Sequence, residues 1–390
     1  MFPITSAALF LYISAFFITS IQTVEPCSVP LFNGNDLSGW HEIGGGKWSV
    51  EKGSIVGETG NGTDGWLTTD RVYSNFILDL KFKAEDRGNS GIQFRSHIID
   101  GEMYGYQVEC DPTSWELTGG VYENRKRGWL AKPKRSCEHN VKQNAWNSIR
   151  IKVIDKHIQT YLNGVLMVDL YDDNATRGAI ALQVHSGVLP QVKIRWKDIL
   201  IRELDHGPSW EPLFNGKTLA GWKEYGREKW YVEDGWIVGK AVTDKYGYLG
   251  TERQFSNFEI CMTFLAEGTG NSGCFFRSFL EGVDITGVQA EIDPTPGNHT
   301  GGLYESSHDG RGWIAQPDEL GNKVMGGVGT QNVLRFVTKG NRMVTYVNGW
   351  KTVDVIDDKQ KNTNGVIALQ LHSGGRAVMR WKDIYVNSLD

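Results

Sequence analysis

The stretch Ile180-Ala-Leu-Gln-Val-His-Ser-Gly187 is repeated almost unchanged later in the chain as Ile367-Ala-Leu-Gln-Leu-His-Ser-Gly374. In both stretches apolar and polar residues alternate, which is the pattern of a β-strand that has one face on a core. A strand that occurs twice with the same residues on each face indicates one β domain present in two copies.

Other motifs recur in the same order and support a duplication of the whole domain. They are Leu31-Phe-Asn-Gly34 and Leu213-Phe-Asn-Gly216, Gly88-Asn-Ser-Gly91 and Gly270-Asn-Ser-Gly273, Thr118-Gly-Gly120 and Thr300-Gly-Gly302, and Arg195-Trp-Lys-Asp-Ile199 and Arg380-Trp-Lys-Asp-Ile384. Short alternating strands separated by glycine turns lie between them, without a long helical stripe. We therefore predict an all-β protein made of two tandem antiparallel β-sandwiches of jelly-roll type, over residues 29–205 and 210–390, with a short linker at His206–Glu211.

The composition limits the classes of partner. The chain has 390 residues, of which 47 are glycine and 14 tryptophan, and its formal net charge is −5. Many glycines suit many tight turns, and tryptophan suits a β core or a platform for sugars. Because no basic stripe accompanies the negative charge, the sequence argues against a nucleic-acid partner.

The first 26 residues differ from the rest. Ala7–Ile21 is apolar and uncharged, and it is too short to span a bilayer comfortably. We predict a signal peptide at residues 1–26 and hence a secreted or periplasmic protein. An uncleaved N-terminal anchor is the alternative, since the segment before the apolar run lacks Lys and Arg; no later segment is expected to span a membrane.

The five cysteines do not define a disulfide framework, because they are odd in number and irregularly spaced. Cys261 and Cys274 flank a predicted hairpin and could pair. Buried free thiols explain them equally well.

Three predicted strands each carry a row of polar residues on the face away from the core. Alternation places Gln107, Glu109 and Asp111 on one face, and gives Gln183 with His185, and Gln93 with Arg95, the same orientation. A solvated sheet face would explain such rows, but would be expected to vary between copies. The second copy instead keeps Arg277, Gln289, Glu291, Asp293, Gln370 and His372. Phe275 replaces Gln93.

These rows predict a functional site. His185 beside Glu109 and Asp111 could be a base or a ligand, and the two carboxylates could hold a divalent cation. No tight metal motif such as H-E-x-x-H is present. Tyr122 and Tyr304 follow the Thr-Gly-Gly turns and could border the face, and Arg125–Trp129 and Arg311–Trp313 are predicted to be mobile loops beside it.

Taken in order, the motifs resemble the 3-keto-disaccharide hydrolase domain, formerly a domain of unknown function. The resemblance covers both copies almost completely and implies a concanavalin A-like sandwich that binds a carbohydrate substrate on one sheet. One departure is that both copies have a second glycine in Thr-Gly-Gly, where the family often has alanine.

The resemblance also implies a chemistry. A ketone at C3 of a glycoside acidifies the C2 proton, so that a base can remove it while the aglycone leaves from C1, and hydration completes a net hydrolysis. His185 or Glu109 would be the base, Asp111 its orienter or a ligand, and Arg95 or a cation would stabilise the enolate. The alternatives are a carbohydrate-binding, lectin-like module without turnover and a purely structural sandwich.

The predicted site residues fall into two sets. The catalytic candidates are Glu109, Asp111, His185, Glu291, Asp293 and His372. The substrate-binding candidates are Gln93, Arg95, Gln107, Tyr122, Gln183, Arg277, Gln289, Tyr304 and Gln370.

Overall fold

A computed structural model describes residues 28–60, 62–85, 89–111, 117–134, 140–186, 192–204, 210–295, 299–306 and 310–389. The predicted signal peptide, and residues 205–209 of the linker region, lie outside these residues. Within them the chain forms thirty β-strands and one turn of 3-10 helix at Gly321–Lys323, and no helix is long and apolar enough to cross a membrane.

The first copy contains fifteen strands. They are β1 (Val29–Pro30), β2 (Trp40–Gly44), β3 (Lys47–Glu51), β4 (Ser54–Glu58), β5 (Gly65–Tyr73), β6 (Phe76–Ala84), β7 (Gly91–Ile99), β8 (Glu102–Glu109), β9 (Val121–Asn124), β10 (Gly128–Ala131), β11 (Asn147–Ile154), β12 (His157–Leu162), β13 (Val165–Tyr171), β14 (Gly178–Val184) and β15 (Lys193–Glu203).

The second copy repeats the series. Its strands are β16 (Trp210–Pro212), β17 (Trp222–Tyr225), β18 (Lys229–Glu233), β19 (Trp236–Lys240), β20 (Gly247–Thr251), β21 (Phe258–Ala266), β22 (Ser272–Glu281), β23 (Asp284–Ile292), β24 (Leu303–Ser306), β25 (Gly312–Ala315), β26 (Gln331–Lys339), β27 (Arg342–Val347), β28 (Trp350–Ile356), β29 (Val366–Leu371) and β30 (Val378–Ser388).

Each copy is a sandwich of two antiparallel sheets. In the first copy an eight-stranded sheet, here the back sheet, has the order β13-β12-β11-β6-β15-β4-β3, with β1 added beside β15. A seven-stranded sheet, here the site sheet, has the order β10-β9-β8-β7-β14-β5-β2. The second copy has the same two sheets, so the predicted all-β tandem sandwich is confirmed.

The core lies between the two sheets, as the alternation predicts. Tyr106, Val108 and Cys110 of β8 and its end are fully buried in it. Toward one edge of the back sheet, Trp48 of β3 packs on Trp196 with ring centroids 5.7 Å apart, and the second copy repeats the pair with Trp230 and Trp381 at 5.6 Å. Six of the 14 tryptophans, three in each copy, thus belong to the repeated core.

The open question about the cysteines is settled for the described residues. Cys110, Cys261 and Cys274 are free thiols. Cys261 lies on β21 of the back sheet and Cys274 on β22 of the site sheet, so the two belong to different layers. Free thiols are the correct alternative: Cys110 and Cys274 are buried, and Cys261 is half-buried.

A β-bulge in β7 overturns one prediction from the alternation. The register against β8 shifts between Phe94 and His97, and Arg95 has a φ of 47°. The bulge turns Arg95 away from the face that carries Gln93. Arg277 has the same φ and lies in the equivalent irregularity of β22. The expectation that both arginines line the polar face is therefore wrong.

One turn of the second copy docks against the first copy, and the ion pairs Lys323–Asp100 and Lys351–Asp173 add to the contact. Gly349 O accepts a hydrogen bond from Thr176 N at 2.7 Å, and Asn348 O accepts one from His97 Nε2 at 2.8 Å. The Trp350 ring is 1% exposed and packs edge-to-face against His97, with centroids 5.4 Å apart. Lys126 Nζ lies 4.2 Å from the centre of the same ring. Burial lowers the pKa of His97 to about 4, so the contact is made by a neutral imidazole.

Candidate functional site

The polar rows meet on the outer face of the site sheet. Gln93 on β7 pairs in register with Gln107 on β8, and Gln107 pairs with Tyr122 on β9. Two residues further along the same two strands, Gly91 pairs with Glu109. The glutamines and Glu109 are at most 5% exposed, so the face is a buried polar floor rather than the solvated surface that was the alternative.

The Gly-Asn-Ser-Gly motif shapes this floor. Gly91 lies beneath Gln107, and a Cβ at Gly91 would overlap the Gln107 carboxamide. Asn89 donates to Glu109, and Ser90 Oγ donates to Gln183 O at 2.7 Å. Within the motif, Gly91 therefore leaves room for the Gln107 carboxamide, Asn89 binds the Glu109 carboxylate, and Ser90 links the start of β7 to β14.

Glu109 ends a chain of hydrogen bonds that crosses the sheet. Gln93 Nε2 donates to Gln107 Oε1 at 2.6 Å, and Gln107 Nε2 donates to Glu109 Oε2 at 3.0 Å. Asn89 donates to the other oxygen of Glu109. Burial nevertheless raises the pKa of Glu109 to about 7, because these amides only partly replace the water lost by the carboxylate. A carboxyl group with that pKa can exchange a proton near neutral pH.

His185 lies beside this floor and has a carboxylate partner. Its Nδ1 is 3.0 Å from Asp64 Oδ1, which is the distance of an ion pair. The angle at Nδ1 is not that of a hydrogen bond. Interaction with Asp64 raises the pKa of His185, and the same pairing holds the pKa of Asp64 at about 2 against the cost of its burial. The charge of His185 also favours the ionised form of Glu109. The first copy thus combines a half-exposed imidazole, whose protonated form is favoured by Asp64, with a buried carboxyl group.

The second copy keeps the carboxyl group but changes its surroundings. Gln289 Nε2 donates to Glu291 Oε2 at 2.9 Å and Asn271 donates to the other oxygen. Burial raises the pKa of Glu291 to about 7, as in the first copy. Phe275 pairs with Gln289 where Gln93 pairs with Gln107, so the chain of amides is one member shorter.

His372 of the second copy has an aromatic neighbour where His185 has a carboxylate. Tyr246 stands at the position of Asp64, and its hydroxyl is 3.2 Å from His372 Nε2. The Tyr246 ring is nearly parallel to that of Tyr248, at a centroid distance of 6.3 Å. These rings form one wall of a cleft of about 650 Å³ whose floor includes Gln289 and Glu291.

An aromatic pair borders the floor in both copies. Trp129 on β10 packs edge-to-face on Tyr122 with centroids 5.4 Å apart, and Trp313 packs on Tyr304 at the same distance. The second glycine of Thr-Gly-Gly makes room for this tryptophan, because a Cβ at Gly302 would lie 2.8 Å from the Trp313 ring. The departure from the family pattern thus has a steric reason.

The predicted aspartates lie close to the floor, but the predicted arginines do not reach it. Asp111 and Asp293 follow the ends of β8 and β23, and after burial their charges contribute to the raised pKa of Glu109 and of Glu291, respectively. Arg95 instead donates to Ser74 O at 2.8 Å and Asp155 O at 2.6 Å on the other side of the bulge. Arg277 makes the equivalent contact with Ser256 O at 2.6 Å. Both arginines are structural, which corrects their prediction as substrate-binding residues.

The arginines of the predicted mobile loops are held by carboxylates. Arg127 binds Asp172 with two nitrogens, at 2.8 and 2.9 Å, and also binds Glu123. Arg311 repeats both contacts with Asp357 and Glu305. These ion pairs hold the two arginines beside the site, and the mobility of the loops stays a prediction.

Several residues of the site were missed by sequence reasoning. They are Asp64, Asn89, Trp129, Tyr246, Tyr248, Asn271 and Trp313. The available signal was the repeat itself, because Asn89 and Asn271 stand in a motif that both copies share, and Asp64 and Tyr246 differ in an otherwise alignable segment.

The described residues do not fit the divalent cation considered from the sequence. Among them, no group of three or more His, Cys, Asp and Glu side chains is arranged to hold a metal ion. Both oxygens of Glu109 already accept amide N–H groups. The reaction described below therefore uses only side chains of the protein.

A duplicated jelly-roll sandwich with a buried glutamate on the outer face of each site sheet matches one family over most of the chain. The protein belongs to the 3-keto-alpha-glucoside-1,2-lyase-like domain family, which matches residues 28–202 and again 209–387. The resemblance seen in the motifs is thereby confirmed.

Individual relatives match smaller parts. A 3-keto-disaccharide hydrolase of Bacteroides thetaiotaomicron is 38% identical over 74 residues, which are 16% of this chain and 26% of that protein. A candidate glycosyl hydrolase from Parabacteroides distasonis is 22% identical with a TM-score of 0.38, over 47% of this chain and 94% of its own. A carbohydrate-binding module of Bacillus subtilis is 17% identical with a TM-score of 0.36, over 43% and 98%. The chain thus spans about a quarter of the length of the curated relative.

Proposed function

We propose that the first copy cleaves the glycosidic bond of a 3-keto-α-glucoside by elimination between C1 and C2, followed by hydration. The observation that carries the proposal is Glu109, a buried carboxyl group with a pKa of about 7 beside the His185–Asp64 pair. The family description, a 1,2-lyase-like domain, supports the same pair of carbon atoms.

In the first half-reaction Glu109 acts as the base. Its carboxylate takes the C2 proton, and the electron pair of that bond forms an enolate with the C3 ketone. When the C3 carbonyl re-forms, the electrons make the C1–C2 double bond and the C1–O bond to the aglycone breaks. The His185 imidazolium gives its proton to the departing oxygen, and the contact with Asp64 favours this protonated form because it raises the pKa of His185.

Hydration reverses both proton transfers. Neutral His185 takes a proton from water while the hydroxide adds to C1, and Glu109 returns its proton to C2. The products are the free 3-keto sugar and the aglycone, and both residues regain their starting states. Gln107 and Gln183 would bind sugar hydroxyls, and the Gln183 Oε1 atom accepts no hydrogen bond from the described residues.

The test compares the full chain with Glu109→Gln on 3-keto-maltose. We expect about 10²- to 10⁴-fold slower turnover, which is the usual contribution of a general base. The control is Glu203→Gln, an exposed carboxylate on the back sheet that pairs with Arg71. If Glu109→Gln is as fast as the wild type, the assignment is wrong.

Unoxidised maltose separates this chemistry from that of an ordinary glycosidase. Without the C3 ketone the C2 proton is not acidic, so we expect no turnover of maltose. Hydrolysis of both sugars at similar rates would contradict the elimination route. Saturable binding of 3-keto-maltose without turnover by the wild type would instead support a lectin-like module.

An exported location remains part of the proposal. It is supported by the apolar segment Ala7–Ile21. N-terminal sequencing of the protein purified from its natural source tests it, and a chain that retains residues 1–26 in a soluble cytoplasmic fraction would contradict it.

A further inference from the structure

We propose that the second copy is a binding site for an intact α-glucoside that it does not cleave. This inference rests on the proposed function for the first copy and assigns a different role to the equivalent face of the second. Its ligand is a glucopyranosyl unit with or without a C3 ketone.

The second copy lacks the acid–base partner of the first. Tyr246 replaces Asp64, so that His372 meets a hydroxyl at 3.2 Å instead of a carboxylate. A tyrosine hydroxyl is neutral near pH 7 and cannot hold an imidazolium as Asp64 does. The His185–Asp64 pair that would supply the proton to the aglycone therefore has no equivalent here.

The face has also become more aromatic. Phe275 stands where Gln93 supports Gln107, and it packs edge-to-face on Tyr248 with centroids 5.8 Å apart. Phe275 is buried and supports Tyr248 from behind, while Tyr246 and Tyr248 line the cleft beside Gln289 and Glu291. Aromatic rings beside a few fixed polar groups are a usual composition of a small-molecule site.

The cleft is large enough for a sugar ligand. Its volume of about 650 Å³ lies within the range of roughly 300–1,000 Å³ that is typical of ligand pockets. The side-chain oxygens of Asn271 and Gln370, which both line it, accept no hydrogen bond within the described part of the chain. Sugar hydroxyls would supply the missing donors after small rotations of these amides.

Trp313 provides a stacking platform at the edge of the cleft. It is 38% exposed, and its edge contacts with Tyr304 at 5.4 Å and His299 at 5.2 Å fix the plane of its ring. In the first copy Lys132 Nζ lies 5.5 Å from the centre of the equivalent Trp129 ring, whereas Gln316 follows at the matching position of the second copy. The Trp313 ring therefore keeps a face for the apolar side of a pyranose.

The experiment measures maltose binding to the full-length Glu109→Gln protein by isothermal titration calorimetry. Trp313→Ala in that background should weaken binding by about tenfold, which corresponds to 1.4 kcal/mol. Thermal denaturation shows whether the variant still folds. Trp236→Ala removes an indole on β19 of the back sheet, away from the cleft, and should leave the maltose affinity unchanged.

Two results would overturn the inference. One is unchanged maltose affinity in Trp313→Ala; the other is Glu109→Gln protein that keeps about half of the wild-type turnover of 3-keto-maltose, because the second copy would then be catalytic. A wild-type protein without turnover would contradict only the proposed function, since maltose binding at Trp313 is measured without any reaction.

Discussion

His185 Nδ1 and Asp64 Oδ1 are 3.0 Å apart, where β14 ends and β5 is about to begin, and this contact favours the protonated imidazole. Since Asp64 raises the pKa of His185, Asp64→Asn should lower that pKa toward its ordinary value. An NMR titration of the imidazole measures it. Tyr246→Phe, at the equivalent position of the second copy, should leave the His185 titration unchanged; an unshifted His185 in Asp64→Asn would refute the pairing.

A methyl group at Gly91 should displace Gln107. Its Cβ would overlap the Gln107 carboxamide, so Gly91→Ala should cost about 1–3 kcal/mol of stability and weaken the hydrogen bond to Glu109. Chemical denaturation and turnover of 3-keto-maltose measure the two effects. Gly327→Ala, whose Cβ would meet no atom within 4 Å, is the control. A fully active and stable Gly91→Ala protein would contradict the role given to this glycine.

Turnover should rise with pH through about 7, because Glu109 must be ionised to take the C2 proton. A pH profile of kcat/KM on 3-keto-maltose shows this rising limb. In Asp64→Asn the rise of kcat/KM should still lie near pH 7. A profile without a rise near this pH would show that the base is another group.

Stability should change in the opposite direction over the same range. Burial raises the pKa of Glu109 in the folded state from 4.5 to about 7, so the folded state binds its proton more tightly than the unfolded chain does. This contribution is fully present below pH 4.5 and is lost as pH rises through 7, up to roughly 3 kcal/mol. Glu109→Gln should remove this part of the slope in the free energy of unfolding, and an unchanged slope would contradict it.

Arg95→Lys should reduce stability more than substrate affinity. A lysine cannot reach Ser74 O, Asp155 O and the Asn75 side chain at once, so we expect a loss of about 3 kcal/mol. Urea denaturation and the KM for 3-keto-maltose measure the two properties. Arg71→Lys, on an exposed ion pair, serves as control. A large rise in KM with unchanged stability would restore Arg95 as a substrate-binding residue.

The fold could be predicted because its signals are local and repeated. Alternation in Tyr106–Cys110 assigned Gln107 and Glu109 to the outer face, and the structure confirms that orientation. Comparison of the two copies identified the polar residues of the site, because these residues are the same in both copies while many other surface residues differ.

The remaining features depend on geometry that alternation does not contain. The bulge at Arg95 moves the residues that follow it to the opposite face of the sheet, and no residue type in the sequence indicates where this bulge lies. The pairing of His185 with Asp64 joins the end of β14 to the loop before β5, which are distant in the sequence. Such contacts arise only after the strands have been ordered in the sheet.

The docking of Asn348–Trp350 against His97 means that the two halves of the chain are no longer interchangeable. The corresponding turn of the first half, Asn163–Val165, ends in an exposed valine and inserts no indole into a neighbour. Reversing their order would leave Trp350 and His97 both bare to water. The second half therefore has a structural role for the first half, since it covers His97, and this role does not depend on any catalytic activity of its own.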